Sequence, residues 1–287
     1  MGAGEMHWQE TKSRRTLPAS KPWVGTHHAN QRCDLLHRKG TKSVFILFGN
    51  LNMKITMIGH STVLMETPEM RILTDPYFGR WGNPAYARVA PPSRSREDLK
   101  EANLVLLSHN HWDHTDSRFL RSLPPTVPVV APRAGAWLTR LKGGKNVVGI
   151  GKWEQKQFGS IRVTAVPALH TAVTRGFVLQ AEGKTVYFAG DTYYGEFMKE
   201  IGKRFSLDVA LMPVTTFRIP MTMGETNAVR AVSALLPRVV IPIHLGIVPR
   251  SPLLRRKESP EGFGKRIEEA GLQTKVMILR EGQSWEG

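Results

Sequence analysis

A single cysteine, Cys33, stands among 287 residues. No intrachain disulfide can form, so a metal site in this chain must rest on histidine and carboxylate rather than on paired thiolates. One free thiol also suits a reducing compartment, and a cytoplasmic protein is the expectation. Long apolar runs are missing too. None approaches the roughly 20 residues that a membrane-spanning helix needs. The stretch "VFILF" at 44–48 is too short and too far from the start for a signal-peptide core. Acidic residues are scarce, 24 against 40 Lys and Arg, for a net charge of +16. A basic surface can attract nucleic acid, anionic lipid or anionic substrates. No run of five or more Lys/Arg occurs, so a merely solvated basic surface fits equally well.

What is present is enough apolar residue, 41%, to bury a sizeable core. Residues 1–52 show no sustained period of 2 or 3.6 and are read as a poorly ordered extension. The pair His27 and His28 lies near Cys33, but no second cysteine supports a metal site there. At Met53 the pattern changes. "MKITMIGHSTVLMET" reads as two strands around a Gly-His-Ser turn, and "RILTDP" as a short strand ending at Asp75. "ANLVLLS", "TVPVVAP", "NVVGI", "IRVTAVPAL", "GFVLQAEG", "KTVYFAGD", "LDVALMPV", "RVVIPIHLG" and "KVMILREG" read as further strands. Helices are expected over "AGAWLTRLK", "YGEFMKEIGKRF", "GETNAVRAVSALLP" and "PEGFGKRIEEAGL". Strands dominate the first half and alternate with helices in the second. Two sheets with helices packed outside, in one α/β domain over 53–287, account for this.

The chemistry concentrates in "SHNHWDHTD" at 108–116. A solvated polar turn is the bland explanation, but the rest of the chain favours metal. His109 and His111 are two apart, so an extended backbone points both the same way. Asp113 and His114 follow from the turn. His170, Asp191 and His244 each stand just past another apolar strand, where a rigid sheet can present side chains to a common point. Two metal ions about 3.5–4 Å apart would use such a number of ligands and leave room for water. Imidazole and carboxylate suit zinc, with manganese or iron as alternatives. His60, in "GHST", finds no ligand position left and is read as a supporting residue.

With these residues in hand, the chain resembles the metallo-β-lactamase superfamily. The motif H-x-H-x-D-H is matched at 109–114, and the later His, Asp and His at 170, 191 and 244. The segments "IGHSTVLMET", "ILTDPYF", "LLSHNHWDHTD" and "FAGDTYYGEFMKEIGKRF" look like the branch of N-acyl-phosphatidylethanolamine phospholipase D, ascorbate-6-phosphate lactonases and related bacterial hydrolases. The resemblance implies an αββα sandwich with metals at one edge. It implies His109, His111 and His170 on a first metal, Asp113, His114 and His244 on a second, and Asp191 between them. Asp75 would accept a hydrogen bond from a ligating histidine. The absence of a cysteine after Cys33 argues against antibiotic hydrolysis of the kind that uses a cysteine ligand.

Metal-assisted hydrolysis of an ester, lactone or phosphodiester follows from this, with Asp113 orienting the attacking water. A nucleic-acid phosphodiesterase, drawing on the +16 charge, and a non-catalytic metal-binding protein are the competing classes. The substrate is expected to be small and anionic. "LGIVPRSPLLRRKE" places Arg250 shortly after His244, and Arg218 lies in a neighbouring loop; both are candidate anion contacts.

Overall fold

In the computed structural model the described residues are 53–287, and the extension expected over 1–52 lies outside them. In chain order the elements begin β1 (Lys54–Gly59), β2 (Thr62–Glu66), β3 (Arg71–Thr74), β4 (Tyr86–Arg88), α1 (Arg96–Leu99), β5 (Leu104–Leu106) and α2 (Ser117–Ser122). They continue with β6 (Val129–Pro132), α3 (Ala136–Leu141), β7 (Val147–Ile150), β8 (Gln155–Phe158), β9 (Ile161–Val166), β10 (Gly176–Ala181) and β11 (Lys184–Phe188). The remainder is α4 (Phe197–Arg204), β12 (Val209–Pro213), α5 (Glu225–Leu235), β13 (Val239–Ile243), β14 (Ile247–Pro249), α6 (Pro260–Glu269), β15 (Lys275–Val276) and β16 (Ser284–Glu286).

Two seven-stranded sheets form, in the orders β16-β1-β2-β3-β5-β6-β7 and β15-β13-β12-β11-β10-β9-β8. Strand parity sorts the core, because alternate side chains leave opposite faces of a strand. Ile55, Val63, Ile72, Leu104 and Leu106 meet Val163, Phe177, Phe188, Leu211 and Ile241 between the sheets. The intervening residues Ile58, Leu64, Leu73 and Val105 face outward onto Leu99 of α1 and Phe119 and Leu120 of α2. On the second sheet Val178, Tyr187, Ala210 and Val240 pack under Met198 and Ile201 of α4, Val232 of α5 and Phe263 of α6. Strands buried on both faces read as continuous apolar runs, which is why "NLVLL" and "VALMP" show no alternation. The result is the expected αββα sandwich.

Several short elements were not expected from sequence. β4 and β14 pair antiparallel as a separate two-stranded sheet. β8 and β16 are edge strands of mixed polarity. "KVMILREG" is a strand only at Lys275–Val276. Beyond it the chain turns at Gly282, whose φ is +87°, and returns as β16 to pair with β1. Among the described residues no helix is long and apolar enough to cross a membrane.

Candidate metal centre

β3, β5 and β6 run parallel in the first sheet, and β11, β12 and β13 in the second. The carboxyl ends of parallel strands are where an open α/β sheet presents functional side chains. Asp75 follows β3, the histidine loop follows β5, His170 follows β9, Asp191 follows β11 and His244 follows β13. Backbone conformation marks the same place. His60 (φ +62°), Asp75 (φ +32°) and His244 (φ +64°) are non-glycine residues in the left-handed region. Such conformations persist where surrounding structure imposes them, commonly at functional sites. Gly190, with φ +57°, precedes Asp191; a Cβ there would stand 2.3 Å from Ser108 Cβ, so only glycine lets the two ligand loops approach.

The loop 109–116 closes as a single turn, with the N–H groups of His114 and Thr115 donating to His111 O at 3.2 and 3.1 Å. Its end is anchored by Asp116. One oxygen of Asp116 caps α2 through the N–H groups of Arg118 and Phe119, and the other accepts from Arg96 at 2.6 Å.

The donors fall into two groups. His109, His111 and His170 bring ligand atoms within 4.8 Å of one another, and so do His60, Asp113, His114 and His244. Asp191 Oδ2 stands between them, 3.1 Å from His244 Nε2, 3.3 Å from His114 Nε2 and 3.7 Å from His170 Nε2. Beneath lies Asp75, fully buried. Its carboxylate accepts the Ser108 N–H at 2.7 Å and the Ser108 hydroxyl at 2.5 Å, and lies 2.7 Å from His114 Nδ1. Having donated to Asp75, the Ser108 hydroxyl accepts from His109 Nδ1 at 2.9 Å. Both imidazoles are thereby set with Nε2 directed into the site.

A metal fits this donor set on two counts. His109 Nε2, His114 Nε2, Asp191 Oδ1 and both nitrogens of His60 are buried with no hydrogen-bond partner. Each such orphan costs about 1–3 kcal/mol unless a partner satisfies it, and the imidazole lone pairs and carboxylate oxygen among them suit a cation. The electrostatics also call for a cation. Burial disfavours protonated His114, yet Asp191, Asp113 and Asp75 around it push its pKa well above the ordinary value. Burial opposes ionisation of Asp191 and Asp113, but His114 and its neighbours hold both carboxyls below the usual range. Four other imidazoles are shifted toward the neutral form, the form that binds metal. Burial pulls His60 down to about 3 and His170 to about 4, and lowers His109 and His111.

The structure thus brings all seven candidate donors together, and the histidine it places on Asp75 is His114. His60 is closer than sequence reading put it, with Nε2 at 3.4 Å from Asp113 Oδ2 and its ring 4.2 Å from that of His244. A cavity of about 220 Å³ opens over the site. His111, Asp113, Asp191 and His244 form its floor, and Tyr86, Trp112, Phe217, Met221 and Ile247 its walls. Neither arginine expected to contact substrate lines it. The Arg250 guanidinium donates to Asn83 O at 3.0 Å and Trp81 O at 3.3 Å, and so serves the loop before β4. Arg218 is exposed, with its N–H on Leu254 O. Sequence reading missed Ser108, for which adjacency to His109 was the only signal, and the aromatic walls, which come from separate segments.

A two-sheet sandwich carrying a histidine–aspartate cage at its strand ends defines the metallo-β-lactamase fold. Residues 70–245 match the family model described as a beta-lactamase superfamily domain, and the chain belongs to that superfamily. It is 30% identical over 255 residues to a UPF0173 metal-dependent hydrolase of Methanopyrus kandleri, covering 82% of this chain and all of that one. A UPF0173 metal-dependent hydrolase of Archaeoglobus fulgidus is 32% identical over 249 residues, covering 82% and 99%. Among solved structures, Igni18, a metallo hydrolase from Ignicoccus hospitalis, superposes with a TM-score of 0.67 at 26% identity, over 82% of this chain and 98% of that one. An isothiocyanate hydrolase from Delia radicum gut bacteria shares the fold, with a TM-score of 0.67 at 19% identity over 81% and 98%. Fold, site and relatives make this chain an enzyme of the metal-dependent hydrolase class.

Proposed function

We propose that the protein is a dinuclear hydrolase, cleaving an ester, lactone or phosphodiester of a small molecule. The observation that carries this reading is the position of Asp191 Oδ2, within 3.1–3.7 Å of His244, His114 and His170. A carboxylate so placed would be within reach of a cation held by either group of imidazoles. His109, His111 and His170 would hold the first ion, and Asp113, His114 and His244 the second, with His60 beside Asp113. Zinc suits the donors best, and manganese or iron also fit. When bound, such ions supply Lewis acidity toward a carbonyl or phosphoryl oxygen and ionise a water near neutral pH. The chain's own residues do the rest. Asp113, beside His60, presents an oxygen to orient the attacking water. Asp75 and Ser108 fix the tautomers of His114 and His109. The walls of the cavity exclude solvent from the reacting bond.

Elemental analysis of zinc-reconstituted protein should give about two ions per chain. Asp191→Asn should drop the loading below one and abolish hydrolysis. A variant that keeps both ions would remove the bridging role.

A further inference from the structure

The walls of the cavity are aromatic and carry no charge. Trp112 sits inside the metal loop and stays partly exposed. Its ring stands edge-on to Tyr77 at 5.4 Å and tilted toward Tyr86 at 6.3 Å. Tyr86 in turn lies 5.7 Å from Phe217, and Phe217 lies 6.4 Å from His244. The four outer rings form an arc that ends on a metal-ligating residue. Met221 and Ile247 fill the remaining wall, and no Lys or Arg lines the space. Arg255 and Arg256 line only the adjoining cavity beyond Phe217 and Ile247, where they meet Pro249 O and Glu258. Within this pocket an ionised tail therefore meets no cationic side chain to offset the cost of leaving water. A flat unsaturated group instead meets ring edges and faces at stacking distance. Size agrees. An apolar cavity of about 150 Å³ holds a benzene molecule, and the space here is about 220 Å³. That leaves room for a ring and one reacting carbonyl.

Resting on the hydrolytic reading above, we propose that the substrate is an uncharged carboxylic ester or lactone whose acyl side carries an aromatic ring or comparable flat apolar group, packed against the wall that Trp112, Tyr86 and Phe217 form. In the reaction, water adds its oxygen to the acyl carbon. The acyl C–O bond breaks and its electron pair leaves on the alcohol oxygen. That oxygen takes one proton of the water, and the new carboxylic acid releases the other. This assignment replaces the anionic substrate expected from the basic loop.

The test uses zinc-loaded full-length protein and two arms. In the first, kcat/KM is measured for p-nitrophenyl phenylacetate, acetate and hemisuccinate, and for bis(p-nitrophenyl) phosphate. In the second, binding of phenylacetohydroxamate is compared with that of acetohydroxamate, which needs no turnover. The phenyl compound should win by at least about tenfold in both arms, the order of gain expected from ring packing on an aromatic wall. In Phe217→Ala and Trp112→Ala the phenyl-to-methyl ratio should collapse toward one. Phe217→Leu, with metal content and unfolding temperature checked, should retain part of it. Preference for the hemisuccinate or the phosphodiester overturns the proposal, as does a ratio unmoved in both variants. Phenyl preference in binding with no ester turned over overturns the hydrolytic reading and leaves the recognition standing. Turnover without phenyl preference does the reverse, and failure of both arms overturns both.

Discussion

Replacing Asp75 by asparagine should disarm both halves of the site through one buried atom. Asp75 Oδ1 takes the Ser108 N–H, while Oδ2 takes the Ser108 hydroxyl and faces His114 Nδ1. In Asp75→Asn the amide oxygen keeps the backbone N–H, so the amide nitrogen replaces Oδ2. Its two hydrogens then point at Ser108 Oγ and His114 Nδ1. To accept, His114 must move its proton to Nε2, the atom directed at Asp191. The Ser108 hydroxyl must accept as well and turn its own hydrogen to His109 Nδ1, which drives that proton to His109 Nε2. One substitution therefore puts hydrogen where a lone pair is needed, in a ligand of each group. Loss of such a supporting partner costs about 10–100-fold in metal affinity, or about 1.4–2.7 kcal/mol. Two ligands are affected, so zinc affinity should fall by at least about 100-fold in a chelator-competition titration. The apo protein should lose only about 1–3 kcal/mol in urea unfolding, because the backbone hydrogen bond is kept and the other three survive with their direction reversed. Zinc affinity within twofold of wild type would refute the tautomer argument.

Asp116→Ala removes the cap of α2 and the partner of Arg96. Thermal unfolding should show a loss of about 1 kcal/mol from the cap, or about 2–4 °C. Burial opposes ionisation of Asp116, but Arg96 and the two backbone donors outweigh it and hold its pKa low. The stabilisation is then full near neutrality and fades as pH falls through the folded pKa, so the gap between variant and wild type should narrow in acid. Arg250→Ala should cost about 1 kcal/mol in stability and alter KM alike for neutral and anionic substrates; a rise confined to anions would return Arg250 to the substrate site. A chain beginning at Met53 should unfold cooperatively and bind metal as the full chain does, since all seven expected donors lie after it; loss of cooperative unfolding would refute this.

The layers and the clustering of the candidate donors were legible from sequence for a common reason. Central parallel strands are buried on both faces, so they stand out as apolar runs, and the ligands follow them directly. Short edge elements gave no such signal. β8 is "QKQF", and β4 and β14 have three residues each. Partners of β1 on either side differ in the same way, because β2 follows it at once while β16 arrives from the far end of the chain. The candidate donors were readable from residue type and position, but the contacts that support them were not. Nothing in "GHST" reveals that His60 turns through a positive φ to face Asp113. Nothing in "LLS" reveals that the serine hydroxyl relays Asp75 to His109. The misplacement of Arg250 has the same origin. Closeness in sequence to His244 suggested the cavity, whereas the pairing of β14 with β4 turns the arginine onto carbonyls of another segment.

That small two-stranded sheet also bears on how the enzyme could change its diet. Tyr86 and Ile247 lie on its two strands and both face the cavity, while Arg250 ties back to Asn83, 167 residues away in sequence. Grafting either loop alone from a relative would strand the edge of the other and break the arginine staple. Productive swaps in a shuffled library should therefore carry segments 81–88 and 247–250 together, and new selectivity should emerge in paired steps, with single-loop chimaeras as the dead ends between them.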